Sequence, residues 1–247
     1  MGDNKVMRLS MESYELYKRF GDEKAILMLK EAGFDCIDYS FFWLEDQDPA
    51  LGENYIAHAK EVRRLLEENG MTCNQAHAPF DMTYDDQLDL TNKEYVKVVR
   101  AIEAAAIMGA KNIIVHAIKT PKPEYFFERN LLYYKSLEPY CRKFGICVAI
   151  ENLFHFDQKR DYCLGVLHTP QLLRELIEAL DSPWFVVCID VGHAALTGYE
   201  PEDMILSLDK DILKALHIHD NDYRRDDHRL PYTGSFCWNN IMSALKK

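Results

Sequence analysis

Short apolar runs alternate along this chain with stretches whose apolar residues recur every three or four positions. The runs predict strands at Lys5–Met11, Phe34–Phe42, Met71–Ala78, Asn112–Ala117, Ile146–Phe154, Trp184–Ile189 and Leu213–Ile218. The helical spacing predicts helices at Asp22–Ala32, Tyr55–Asn69, Thr91–Met108, Glu124–Phe144, Thr169–Leu180, Pro201–Ser207 and Trp238–Lys246. Gly33, Gly70 and Gly109 stand where helix C-caps belong, Thr91 is placed to cap the fourth-strand helix, and Thr169 precedes a proline at a first helical position. Pro139 is expected to kink or divide its helix. Strands alternating with helices across short connections argue for parallel α/β architecture. The 247 residues match one (β/α)8 barrel, typically about 250 residues long. Seven strands are visible, so the expected fold is a TIM (β/α)8-type barrel lacking its last βα unit, as a single domain over residues 1–247.

Composition narrows the functional classes. Apolar residues make up 48% of the chain, enough for a large core, and the formal net charge is −11. An acidic surface of that size disfavours a nucleic-acid partner, because no basic field attracts a phosphate polymer. The seven cysteines are odd in number, scattered, and without a C-x-x-C pair. A disulfide framework is therefore not expected, and a reducing cytoplasm is. No signal-peptide pattern or apolar run near 20 residues appears, so no membrane partner is expected.

The chemistry sits where the strands stop. Ile146–Phe154 breaks at Glu151, Phe185–Leu196 at Asp190 with His193, and Leu213–Asp222 at His217 with His219. The fourth strand breaks at His116 and the third reaches His77. Carboxylates and imidazoles at successive parallel strand ends describe how a barrel gathers a metal site from distant positions. Each residue also has a plainer reading. Glu151 can be salt-bridged in the interior, Asp190 can cap the next turn, and His193 can be a hydrogen-bonded packing residue. His217 and His219 share a strand face; His219, nearer the strand's end, is preferred as the ligand.

A strand ending in Glu-Asn, another ending in D-V-G-H-A and a third reading H-I-H-D-N-D resemble the xylose-isomerase-like TIM-barrel superfamily. GFDCIDYSFFW, QAHAPF and GAKNIIVHA extend the resemblance along nearly the whole chain. It implies metal-dependent sugar, sugar phosphate or polyol isomerisation or epimerisation, by deprotonation next to a carbonyl. In the epimerase-like branch, the resemblance implies a divalent metal on Glu151, Asp190 and His219, with Glu151 also an acid/base. It further implies His193, Arg225 and Asp157 as substrate contacts. Mn²⁺ is the expected ion, with Mg²⁺, Co²⁺ and Zn²⁺ as alternatives. The branch's fourth ligand, an eighth-strand glutamate that is also a catalytic base, lies past the last residue here. Weak metal binding and slow epimerisation are the expectation from that.

A second constellation competes. His77, His116, Asp226 and His228 resemble ligand positions of the trinuclear zinc site of endonuclease IV-type enzymes, which implies abasic-site phosphodiester hydrolysis by clustered zinc. Substrate contact or plain packing is the alternative for these four and for His217. A non-catalytic sugar-binding barrel is a third reading. Two unpaired sheet edges lead to one of two expectations: a gap persists between the first and seventh strands, or a partner chain, such as a second copy in a homo-oligomer, covers it. Aromatics are plentiful at Tyr14, Tyr39, Phe41, Phe42, Trp43, Phe80, Phe154 and Phe156, and those after strand ends can form an apolar wall for a sugar ring.

Overall fold

The computed structural model describes residues 8–80, 88–120, 122–157 and 162–247. Along the chain these form β1 (Ser10–Glu12), α1 (Tyr14–Phe20), α2 (Asp22–Glu31), β2 (Cys36–Ser40), α3 (Tyr55–Glu68), β3 (Thr72–His77), α4 (Lys93–Met108) and β4 (Asn112–Ile114). After a single 3-10 turn at Pro123–Tyr125 come α5 (Phe126–Phe144), β5 (Cys147–Glu151), β6 (Leu153–Asp157), β7 (Tyr162–Val166) and α6 (Pro170–Leu180). The last elements are β8 (Phe185–Asp190), α7 (Val191–Leu196), α8 (Pro201–Leu206), β9 (Leu213–His217) and α9 (Trp238–Ala244). Seven strands form one sheet in the order β1-β2-β3-β4-β5-β8-β9, and β6 pairs β7 in an antiparallel hairpin. This is the strand order of a TIM-type barrel without its last βα step, and no eighth strand joins the sheet among the described residues.

Three local expectations are corrected. Helix α5 is unbroken, with Pro139 inside it rather than dividing it. The cap of α4 is Asn92, whose side chain accepts from the Glu94 N–H at 2.8 Å, in place of Thr91. The apolar run Ile146–Phe154 is two strands, because Asn152 interrupts it and Leu153 begins the hairpin. Helix α1 has no buried residue, so it carries no periodic apolar face that would have marked it.

The residues cluster into two compact units: the described parts of 1–115, 119–121 and 136–147, and those of 116–118, 122–135 and 148–247. In the first, β1, β2, β3 and β4 run parallel in register Glu12↔Asp38 and Asp38↔Gln75. Its helices bury apolar stripes, such as Ala59, Val62, Leu65 and Leu66 on α3. Gln75 donates to Asp38 at 2.6 Å in the layer that Glu12 shares. Burial pushes the Glu12 carboxyl above its ordinary value.

In the second unit β5, β8 and β9 run parallel, with Glu151 beside Cys188 and Asp190 beside His217. Every residue of β8 is buried, which is why its sequence is continuously apolar rather than alternating. Thr169 caps α6, accepting from the Leu172 N–H at 3.1 Å ahead of Pro170 at the first turn. No helix of the described residues is long and apolar enough to cross a membrane. None of the seven cysteines is in a disulfide.

Candidate metal centre

Strand β5 delivers Glu151 and β8 delivers Asp190, each about 1% exposed, at the carboxyl ends of neighbouring parallel strands. Two buried carboxylates side by side are costly unless positive groups or donors face them. Imidazoles supply these. His217, ending β9, places Nδ1 3.0 Å from Glu151 Oε1 and 3.6 Å from Asp190 Oδ2. His116 places Nε2 2.9 Å from Glu151 Oε2. His219, two residues past β9, meets Asp190 instead, with Nε2 3.0 and 3.1 Å from its two oxygens.

One donor atom from each of Glu151, Asp190 and His217 lies within 4.8 Å of the other two. A second group, His193, Asp226 and His228, meets the same condition. Asp226 Oδ2 lies 3.1 Å from His228 Nε2 and 3.7 Å from His193 Nε2. The His219 and His228 rings stack with centroids 4.0 Å apart.

Local chain geometry holds these groups. Asp190 caps α7, accepting from the His193 N–H at 2.8 Å, so the capping reading of this residue holds. The His193 Nδ1–H donates to the Asn152 carbonyl at 3.0 Å, which leaves the lone pair of a neutral ring on Nε2, toward Asp226. Asn152 is fully buried; its side chain accepts from the Asp190 N–H at 2.8 Å and donates to the Asp190 carbonyl at 2.9 Å. Asn221 donates to the Gly192 carbonyl at 3.1 Å. Neither asparagine was singled out from sequence, although Glu-Asn and H-I-H-D-N-D contain them.

The electrostatics follow from this packing. Burial alone would raise Glu151, but the His217 and His116 imidazoles outweigh it and hold the carboxyl well below its ordinary value. Asp190 is likewise lowered against burial, by His193, His217 and His219. Burial would lower His193, yet Asp190, Asp226 and Glu151 raise it well above its ordinary value. Ionised carboxylates in a ring of imidazoles compose a donor set that suits a divalent transition ion.

Arg225 is exposed, and its backbone N–H donates to Asp222 at 3.0 Å. Asp157 ends β6, and its side chain lies outside the described residues. Phe154 packs on His193 with ring centroids 4.9 Å apart. In the first unit, His77 ends β3, donating from Nδ1 to the Ala78 carbonyl at 3.1 Å. Its ring meets Phe42 and Phe80, which stack on each other at 4.8 Å. Trp43 stands perpendicular to both, 59% exposed and at φ 55°, an unusual backbone region for a bulky residue.

Parallel strands ending in carboxylates and imidazoles define a class, and comparison with known proteins places the chain in it. Residues 26–247 match the family described as xylose isomerase-like TIM barrel, and the chain belongs to that family. It is 26% identical to the uncharacterized protein y4fM of Sinorhizobium fredii, over 94% of this chain and 79% of that protein. A D-tagatose 3-epimerase-like protein superposes with TM-score 0.76 at 21% identity, over 97% of this chain and 86% of its own. A D-psicose 3-epimerase does so with TM-score 0.74 at 17% identity, over 97% and 81%.

Proposed function

We propose that this chain is a metal-dependent isomerase or epimerase of a sugar, sugar phosphate or polyol. The observation that carries the reading is the pair of buried carboxylates, Glu151 and Asp190, each met by imidazole nitrogens. Glu151, Asp190 and His217 would hold one divalent ion, with His219 against both Asp190 oxygens; Mn²⁺ is the first choice and Zn²⁺ the next. When bound, such an ion polarises a carbonyl and lowers the barrier to removing the neighbouring carbon-bound proton.

This chain's own groups then have distinct tasks. Glu151 presents an ionised carboxylate; its low proton affinity beside His116 and His217 supports the ligand role more directly than the proton-accepting one. His193 turns Nε2 away from the Asn152 carbonyl and is placed to bind a substrate oxygen. Arg225 and Asp157 remain proposed substrate contacts. The names of the structural neighbours, ketose 3-epimerases, point to ketoses as the first substrates to try. We further take residues 1–247 as one functional domain, acting in the cytoplasm and able to form homo-oligomers.

Incubating metal-loaded protein with a panel of ketoses in deuterated water tests the reading. Deuterium gained at the carbon next to the carbonyl is the expected result. No exchange into any ketose, with the ion bound, would reject it.

A second reading is favoured by the His193–Asp226–His228 group, which offers a separate set of donors. Clustered ions there suit hydrolysis of a phosphodiester by an activated water. The net charge of −11 weighs against a nucleic-acid substrate. Incision of an abasic oligonucleotide in zinc buffer would establish this reading in place of the first.

A further inference from the structure

We infer that Asn152 is a positioning residue that holds the two donor groups in register. The inference rests on the metal-centre reading above and deepens it. Two different parts of Asn152 act on two different groups. Its side-chain amide bonds both main-chain polar groups of Asp190, accepting from the N–H at 2.8 Å and donating to the carbonyl at 2.9 Å. Its main-chain carbonyl takes the His193 Nδ1–H at 3.0 Å. Asp190 belongs to the first donor group and His193 to the second.

The arrangement closes on itself. Asp190 Oδ1 accepts from the His193 N–H at 2.8 Å, so a shift of the Asp190 peptide carries the first turn of α7 with it. Asn152 also follows Glu151 directly, so the amide clamp sets how the carboxyl ends of β5 and β8 lie against each other. A buried amide making both its donor and acceptor bonds to the main chain of one residue is a specific fit that no apolar residue replaces. Partners that orient metal-binding groups commonly matter about 10–100-fold for affinity.

Asn152→Ala and the isosteric Asn152→Asp test this; the aspartate keeps an acceptor for the Asp190 N–H but sets an oxygen against the Asp190 carbonyl. Leu173→Ala, a fully buried position on α6, serves as a destabilised control away from the clamp. Two measurements are made on each protein. Zinc affinity is read by titrating Zn²⁺ alone into EDTA-treated protein. The tautomer of His193 is read by ¹⁵N imidazole NMR on metal-free protein, at a pH high enough to neutralise the ring, with the signal assigned by its loss in His193→Ala.

The wild type is expected to hold the Nδ1–H tautomer. Both Asn152 variants should lose zinc affinity by about 10–100-fold and show mixed tautomers, while Leu173→Ala keeps both properties. An unchanged tautomer in both Asn152 variants overturns the inference whether or not zinc binds, as does an equal loss of affinity in Leu173→Ala. A wild type that binds no zinc, with the tautomer shifting as expected in the Asn152 variants, would reject the metal centre and leave the clamp standing.

Discussion

Gly192 shows how little room the site leaves a single residue. A Cβ added there would lie 2.0 Å from His219 Cε1, so the ring that meets Asp190 depends on the missing side chain. Gly192→Ala should push His219 off Asp190 and cost about 1–3 kcal/mol by overpacking, read as a fall in Tm. An unchanged Tm with the His219–Asp190 contact intact would count against that account. At this scale the donors were legible, because a charged residue that ends an apolar run stands out. Which histidine of β9 joins which carboxylate was not. His217 and His219 share a face by period, and only the register Asp190↔His217 brings His217 between Glu151 and Asp190 while His219 meets Asp190 and Asp226. Asn152 was illegible for a different reason: an amide next to a carboxylate has no period or charge to mark it, and its partner is 38 residues away.

The elements were readable where one face is apolar and both ends carry signals. Helix α6 is such a case, with Thr169 and Pro170 at its start and Leu173, Leu176 and Leu180 buried. Thr169→Ala removes the acceptor of the Leu172 N–H and should cost about 1 kcal/mol. For a chain of this size that is a Tm lower by about 2–4 °C; a shift under half a degree would contradict the cap. The hairpin of β6 and β7 was missed because Leu153 prolongs the apolar run of β5, so the break at Asn152 reads as part of one strand. Its consequence is specific, since it sets Phe154 against His193. Phe154→Ala should loosen that ring and weaken ketose binding more than zinc binding. Equal effects on both would assign Phe154 to general packing.

Taken whole, the molecule follows the alternation of strand and helix that its polar pattern describes, and the order β1-β2-β3-β4-β5-β8-β9 follows the chain once the hairpin is set aside. Buried phenols bear on its alkaline stability, and two of the first unit illustrate how. Burial, with the Asp48 carboxylate, raises Tyr17 above its ordinary value, and burial with Glu103 pushes Tyr55 up to about 12. Both hydroxyls donate to those carboxylates, at 2.5 and 2.6 Å. A raised phenol contributes in full below the unfolded value near 10 and loses its contribution as pH rises through the folded one. Stability should therefore fall between about pH 10 and 12, with phenolate absorbance rising together with unfolding. Phenolate appearing well before unfolding, at the unfolded value, would contradict the buried bonds.

A bound ion acts on the whole fold through linkage. At a hundred times its dissociation constant it adds about 2.7 kcal/mol, a rise in Tm of about 5–10 °C that EDTA should reverse. The most direct test is equilibrium dialysis against Mn²⁺ or Zn²⁺, with bound metal read by elemental analysis as the excess over the dialysate, beside Asp190→Ala treated alike. The wild type is expected to bind at least one ion per chain, and the variant to bind markedly less. No bound metal in the wild type, or equal binding in the variant, would contradict a cation held between Glu151, Asp190 and His217.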